Sequence, residues 1–175
     1  HPPAGAAHHR EAAARWLRPR GLEARGDALL LAHGAQHAMS ACLAALTRPG
    51  DTVLCEAWTY YGFRRLAAAA GLRLAPVAMD GEGMLPEDLA RQLAATGASL
   101  VMCSPAVQNP TMATMSAARR QDILAACRGT AALLLEDDVY GHLAADPSPP
   151  LAALDPDRCV YVTGLSKAIA PGLRL

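Results

Sequence analysis

Short apolar runs that end in polar or acidic residues alternate with alanine-rich helical stretches along almost the whole chain. That alternation admits few folds. Strand, helix and strand at this spacing close through right-handed crossovers into a mainly parallel sheet, an α/β architecture. The spacing predicts strands at 28–32, 52–55, 72–77, 99–104, 132–136 and 159–162. It predicts helices at 7–18, 35–46, 60–70, 86–95 and 116–127, with 18–26 a polar loop. Pro19 stops the first helix, Gly71 closes the third as its C′ residue, Pro86 opens the fourth, and Ser116 caps the fifth. At 175 residues the chain makes one domain with a real core.

In open parallel sheets ligands bind outside the carboxyl ends of the strands, so the residues just past each run carry the chemistry. Past the last run (Val160, Tyr161, Val162) come a Thr163-Gly164 turn, Ser166 and Lys167, the only lysine in the sequence, with Arg174 seven residues on. Its small and apolar neighbours predict a desolvated lysine whose neutral amine can condense with an aldehyde to give a Schiff base. Past Leu133-Leu-Leu come Glu136, Asp137 and Asp138, with Tyr140 beyond. A carboxylate here could pair with a protonated ring nitrogen, and the tyrosine could donate to a phenolic oxygen. By itself an Asp-Asp pair is more often a solvated turn or a cap. Past Leu100-Val-Met-Cys comes Gln108-Asn109-Pro110-Thr111. Past Ala28-Leu-Leu-Leu-Ala32 comes His33-Gly34-Ala35-Gln36, where free N–H groups at a helix start would form an anion site.

With these motifs in this order, together with Arg48-Pro-Gly-Asp51 and Ala170-Pro-Gly-Leu-Arg174, the sequence resembles the large domain of fold type I pyridoxal-phosphate enzymes, the aspartate aminotransferase superfamily. The resemblance runs through essentially the whole chain. It is closer still to the aminotransferase-like domain of MocR-type (GntR family) bacterial regulators. It implies a three-layer fold with pyridoxal 5′-phosphate as cofactor. Lys167 would hold the cofactor covalently and move the proton in transamination. Asp137 would pair with the pyridine nitrogen, with Asp138 the second candidate. Tyr140 and Asn109 would donate to the ring oxygen. Gly34, Ala35 and Gln36, with Ser166 and Arg174, would hold the phosphate. Tyr60 would stack on the ring, with Trp58 its rival and more often a core or interface aromatic. Met112, Gly164 and Trp58 depart from the family pattern, and Thr163 is the alternative hydroxyl near Gly164.

The resemblance also implies a homodimer and an amino acid or other amino compound as effector or substrate. The chain opens on His1 and stops one residue after Arg174, so a fragment is expected, lacking a small C-terminal domain and any upstream winged helix. Two roles follow: the effector-sensing domain of a transcription regulator, or part of a free-standing aminotransferase.

Composition excludes other classes. Formal net charge is zero, which gives this segment no electrostatic case for nucleic acid, so DNA contact would need the upstream domain. No apolar run approaches a membrane span. The five cysteines lack Cys-x-x-Cys spacing and read as core residues in a reducing cytoplasm. The six histidines show no metal-ligand pattern.

Overall fold

The computed structural model describes residues 2–145 and 148–173. Its centre is a sheet of five strands, β1 (Thr52–Glu56), β2 (Arg73–Val77), β5 (Leu100–Cys103), β6 (Leu133–Asp137) and β7 (Cys159–Val162). They lie in the order β2-β1-β5-β6-β7, and every neighbouring pair is parallel. Between β2 and β5 a small antiparallel hairpin, β3 (Met79–Asp80) with β4 (Gly83–Met84), stands apart from the main sheet.

The strands alternate their side chains between two cores, as a period of two requires. Leu54, Val77, Val101, Cys103 and Leu134 face one core, built with helices α4 (Pro86–Thr96), α5 (Ala117–Cys127) and α6 (Leu151–Leu154). Val53, Cys55, Leu100, Met102, Leu135 and Val162 face the other, built with α2 (Ala35–Leu46) and α3 (Tyr61–Ala69). Both faces of the sheet are therefore covered, and the fold is three-layered. At about 1.5–3 kcal/mol per fully buried large apolar side chain, these two cores supply the main stabilisation. Helix α1 (Ala7–Leu17) joins through a third, smaller cluster of Leu17, Leu22 and Ala152 with Trp16 and Tyr161 beside it.

One expected strand is absent. Residues 28–32 do not join the sheet. The segment has a 3₁₀ turn at Gly26–Ala28 and then runs extended, with Leu31 N donating to Ala4 O at 3.1 Å. Leu29 packs on the third cluster while Leu30 is 79% exposed. A short apolar run carries no periodicity to reveal this, because any such run looks like a buried strand.

Local punctuation otherwise behaves as expected. Ser116 Oγ accepts from Arg119 N, Pro86 occupies the first turn of α4, and Gly71 takes a left-handed φ of 69°. Tyr60 caps α3 and is not its first residue. The segment Arg18–Arg20, expected as loop, forms a 3₁₀ turn.

Candidate functional site

The carboxyl ends of β1, β5, β6 and β7 and the start of α2 enclose a cleft of about 390 Å³. Gly34, Ala35 and Gln36 line it from α2, and Tyr60 from the segment after β1. Asn109 comes from the loop after β5, and Asp137 and Tyr140 from the end of β6. Ser166 and Lys167 come from α7 (Leu165–Ala168), just past β7. These elements are distant in sequence, and the parallel sheet brings their ends to one edge. Arg174 lies outside the described residues.

Asp137 is 6% exposed, and its Oδ1 has no hydrogen-bond partner. Burial raises its pKa to about 6, opposed by the Val139 N–H and reinforced by the charge of Asp138. Asp138 turns the other way. Its Oδ2 lies 3.1 Å from Arg20 Nη2 and accepts from Tyr161 Oη at 2.6 Å, and the side chain is fully buried. A Cβ at Gly141 would collide with the Asp138 carboxylate, so glycine there makes room for it. Successive side chains point to opposite sides, and here that puts the carboxylate bound by the Val139 N–H in the cleft and the one bound by Arg20 and Tyr161 away from it, each with its Oδ1 unpartnered.

Glu136 also points away from the cleft. It accepts from Leu151 N and Ala152 N at 3.0 Å and lies 3.8 Å from Arg120 Nη1. Burial raises its pKa to about 7 in spite of these partners.

Lys167 stands at the mouth of the cleft and is exposed, which corrects the expectation of a desolvated amine. The small residues on α7 and after it do not cover it, and Ile169 itself is 59% exposed. Ser166 Oγ donates to Leu173 O at 2.6 Å, so the hydroxyl expected at a phosphate is held by backbone. Thr163 Oγ1 donates to Asp138 O at 3.1 Å and does not replace it. Gly164 lines the cleft.

Gly34 is the N-cap of α2, and its φ of 81° suits glycine. The first N–H groups of a helix have no intrahelical acceptor, and here they sit beside the cleft. Gln36 Nε2 donates to Tyr60 Oη at 2.6 Å, fixing the tyrosine over that helix start. The Tyr60 ring lies across Gly62, where a Cβ would collide with it. Burial raises the Tyr60 pKa. Trp58 does not line the cleft and is 68% exposed.

Sequence reasoning missed Glu56, Gln108, Arg20 and Tyr161. Glu56 ends its strand after an apolar run, as Glu136 follows Leu133-Leu-Leu near the end of β6, and that was the available signal. It is fully buried, and Ser104 N and Gln108 Nε2 donate to its Oε2. Burial raises its pKa to about 8, with Asp137 adding to the rise. Met112, noted as a departure, has a left-handed φ of 63°, a conformation that favours glycine. His33 N donates to His37 Nδ1 at 3.0 Å, and His142 stacks on Trp16 at 3.9 Å. Among the described residues no group of three or more His, Cys, Asp or Glu could hold a metal, and no helix is long and apolar enough to cross a membrane.

Comparison with known proteins gives three kinds of match. The family model for aminotransferase class I and II matches residues 1–175. The uncharacterized HTH-type transcriptional regulator YdfD of Bacillus subtilis is 32% identical over 169 residues, covering 95% of this chain and 35% of that protein. The vitamin B6 salvage pathway transcriptional repressor PtsJ of Salmonella typhimurium is 34% identical, covering 93% of this chain and 37% of that one. The chain thus spans little more than a third of these relatives. Among solved structures, Pyrococcus horikoshii kynurenine aminotransferase in complex with PMP superposes with a TM-score of 0.87 at 30% identity, covering 97% of this chain and 44% of that one.

Proposed function

This chain belongs to the aminotransferase class I and II family, and from that premise we propose that it binds pyridoxal 5′-phosphate as the effector-sensing domain of a MocR-type regulator. The observation that carries the proposal is the unpartnered Oδ1 of Asp137, buried at the floor of the cleft that Lys167 and Asn109 also line. A buried carboxylate without a cation is unfavourable, and a protonated ring nitrogen would relieve it. The donor set fits the group.

In this reading Lys167 supplies the amine that attaches the cofactor's aldehyde. Asp137 holds the proton on the ring nitrogen. Tyr140 and Asn109 donate to the ring oxygen, and Tyr60 covers a ring face. The first N–H groups of α2 with Arg174 take the phosphate, and Ser166 would join them only by giving up its bond to Leu173 O. Bound there, the cofactor supplies an electron-accepting ring for reactions at an amino carbon.

The regulator role rests on YdfD and PtsJ, both transcriptional regulators by name. DNA contact would belong to an upstream domain, in a cytoplasmic homodimer, with an amino compound as effector. The likeness to kynurenine aminotransferase favours the second reading, a free-standing enzyme transferring an amino group to a 2-oxo acid. The test uses the full-length protein loaded with pyridoxal phosphate, in promoter-fragment binding and amino-donor turnover. DNA affinity that changes at least about tenfold with cofactor or amino compound supports the regulator. Rapid turnover with no effect on DNA supports the enzyme.

A further inference from the structure

Gln108 is 1% exposed and does not line the cleft, yet it joins two segments that do. Its Nε2 donates to Glu56 Oε2 at 3.1 Å and to Trp58 O, tying it to the segment that leads into Tyr60. Its Oε1 accepts from Thr111 N at 2.9 Å and from Thr111 Oγ1 at 2.7 Å, two residues past Asn109. The backbone is used as well: Gln108 N donates to Ala113 O at 2.9 Å, and Met112 N donates to Gln108 O at 2.7 Å. Both ends of the amide are therefore saturated, which fixes the orientation of its oxygen and nitrogen.

The loop so held is strained. Val107 has φ 50° and Met112 φ 63°, the two non-glycine residues with positive φ among those described, and they bracket Asn109. A β-branched residue in that region is a marked outlier. Such conformations persist only where the surroundings over-determine them. The surroundings here are the Gln108 amide, the buried Glu56 carboxyl under it, and the bond from Val107 N to Thr114 Oγ1 at 3.1 Å.

We propose that Gln108 is a positioning residue that locks the Asn109 loop to the Tyr60 segment and so sets the cleft to accept a flat aromatic ring between groups from both. The proposal rests on the pyridoxal-phosphate reading for the identity of that ring, but the lock itself does not depend on it. Methionine at position 108 would keep the shape of the side chain and remove its polar bonds. Glutamate would keep the acceptor toward Thr111, lose both donated bonds, and set a second carboxyl against Glu56. Thr111→Val removes only the hydroxyl link on the loop side and leaves the Glu56 and Trp58 bonds in place.

The experiment uses the full-length protein in two measurements. The first is amide hydrogen exchange without cofactor. Gln108→Met and Gln108→Glu should each speed exchange at least fivefold in peptides from both 57–62 and 105–115, with peptides of α5 unchanged. Thr111→Val should speed it in 105–115 alone. Exchange that is unchanged in 57–62 for either Gln108 variant overturns the proposal, whether or not the cofactor binds. The second is titration with pyridoxal phosphate, in which the Gln108 variants should bind at least tenfold more weakly than the unmodified protein. Equal affinity overturns the role in setting the cleft. Failure of the unmodified protein to bind refutes the cofactor reading instead, and the exchange result still decides the lock.

Discussion

Asp137 and Asp138 are neighbours in sequence, yet their carboxylates face opposite ways at the end of β6. One is buried with an unpartnered Oδ1 in the cleft, and the other is bound by Arg20 at 3.1 Å and Tyr161 at 2.6 Å. The same chemical group thus has two duties within one dipeptide. Asp137 is available to a ligand, whereas Asp138 holds the segment after α1 to the sheet.

The two substitutions to asparagine should therefore fail differently. Asp137→Asn should leave the melting temperature no lower, since it removes a carboxyl whose folded pKa burial raises, and should weaken pyridoxal-phosphate binding by at least tenfold, because it removes the charge facing the ligand. Asp138→Asn leaves Arg20 buried without its anion. Breaking such a pair costs about 3–5 kcal/mol, so it should lower the melting temperature by at least about 6 °C. Calorimetry and a cofactor titration on both variants check this, and matching profiles would mean that the two roles are not separate.

Glu56 makes a prediction about pH. Its folded pKa of about 8 lies above the ordinary value of 4.5, so the folded state holds a proton that the unfolded chain releases. Stability is then lost as pH rises between those values, by up to about 1.4 kcal/mol per pH unit, and levels off above about 8. Glu136, at about 7, and Asp137, at about 6, add the same sign over narrower windows. Glu56→Gln cannot release that proton. Denaturant unfolding at pH 5, 7 and 9 should show the variant gaining on the unmodified protein as pH rises. A constant difference would mean that Glu56 titrates normally.

Much of this fold was legible because β1, β5 and β6 are short apolar runs that are buried almost throughout, and such burial leaves no other use for them, whereas the two-residue strands of the β3–β4 hairpin carry no such run and were not expected. The run at 28–32 looks identical in sequence and is no strand, since strand pairing depends on where the neighbouring backbone lies. The site was legible for a related reason. Asp137 ends β6, Tyr140, Asn109 and Lys167 each come just past a strand, and the topology carries all of them to one cleft. What the sequence hid were residues that act through others. Arg20 meets Asp138 across 118 positions and Gln108 meets Glu56 across 52, and no local pattern announces either bond. The exposure of Lys167 was hidden too, because small neighbours do not tell whether they cover a side chain or leave it open.

The central claim is that the one lysine of this chain captures the cofactor. The most direct measurement is borohydride reduction of the full-length protein with pyridoxal phosphate, followed by peptide mapping, beside Lys167→Ala treated alike. The account predicts the pyridoxyl label on the peptide containing Lys167, with the near-ultraviolet absorbance of the bound cofactor lost in the variant. A label elsewhere, or absorbance that survives in Lys167→Ala, would contradict it.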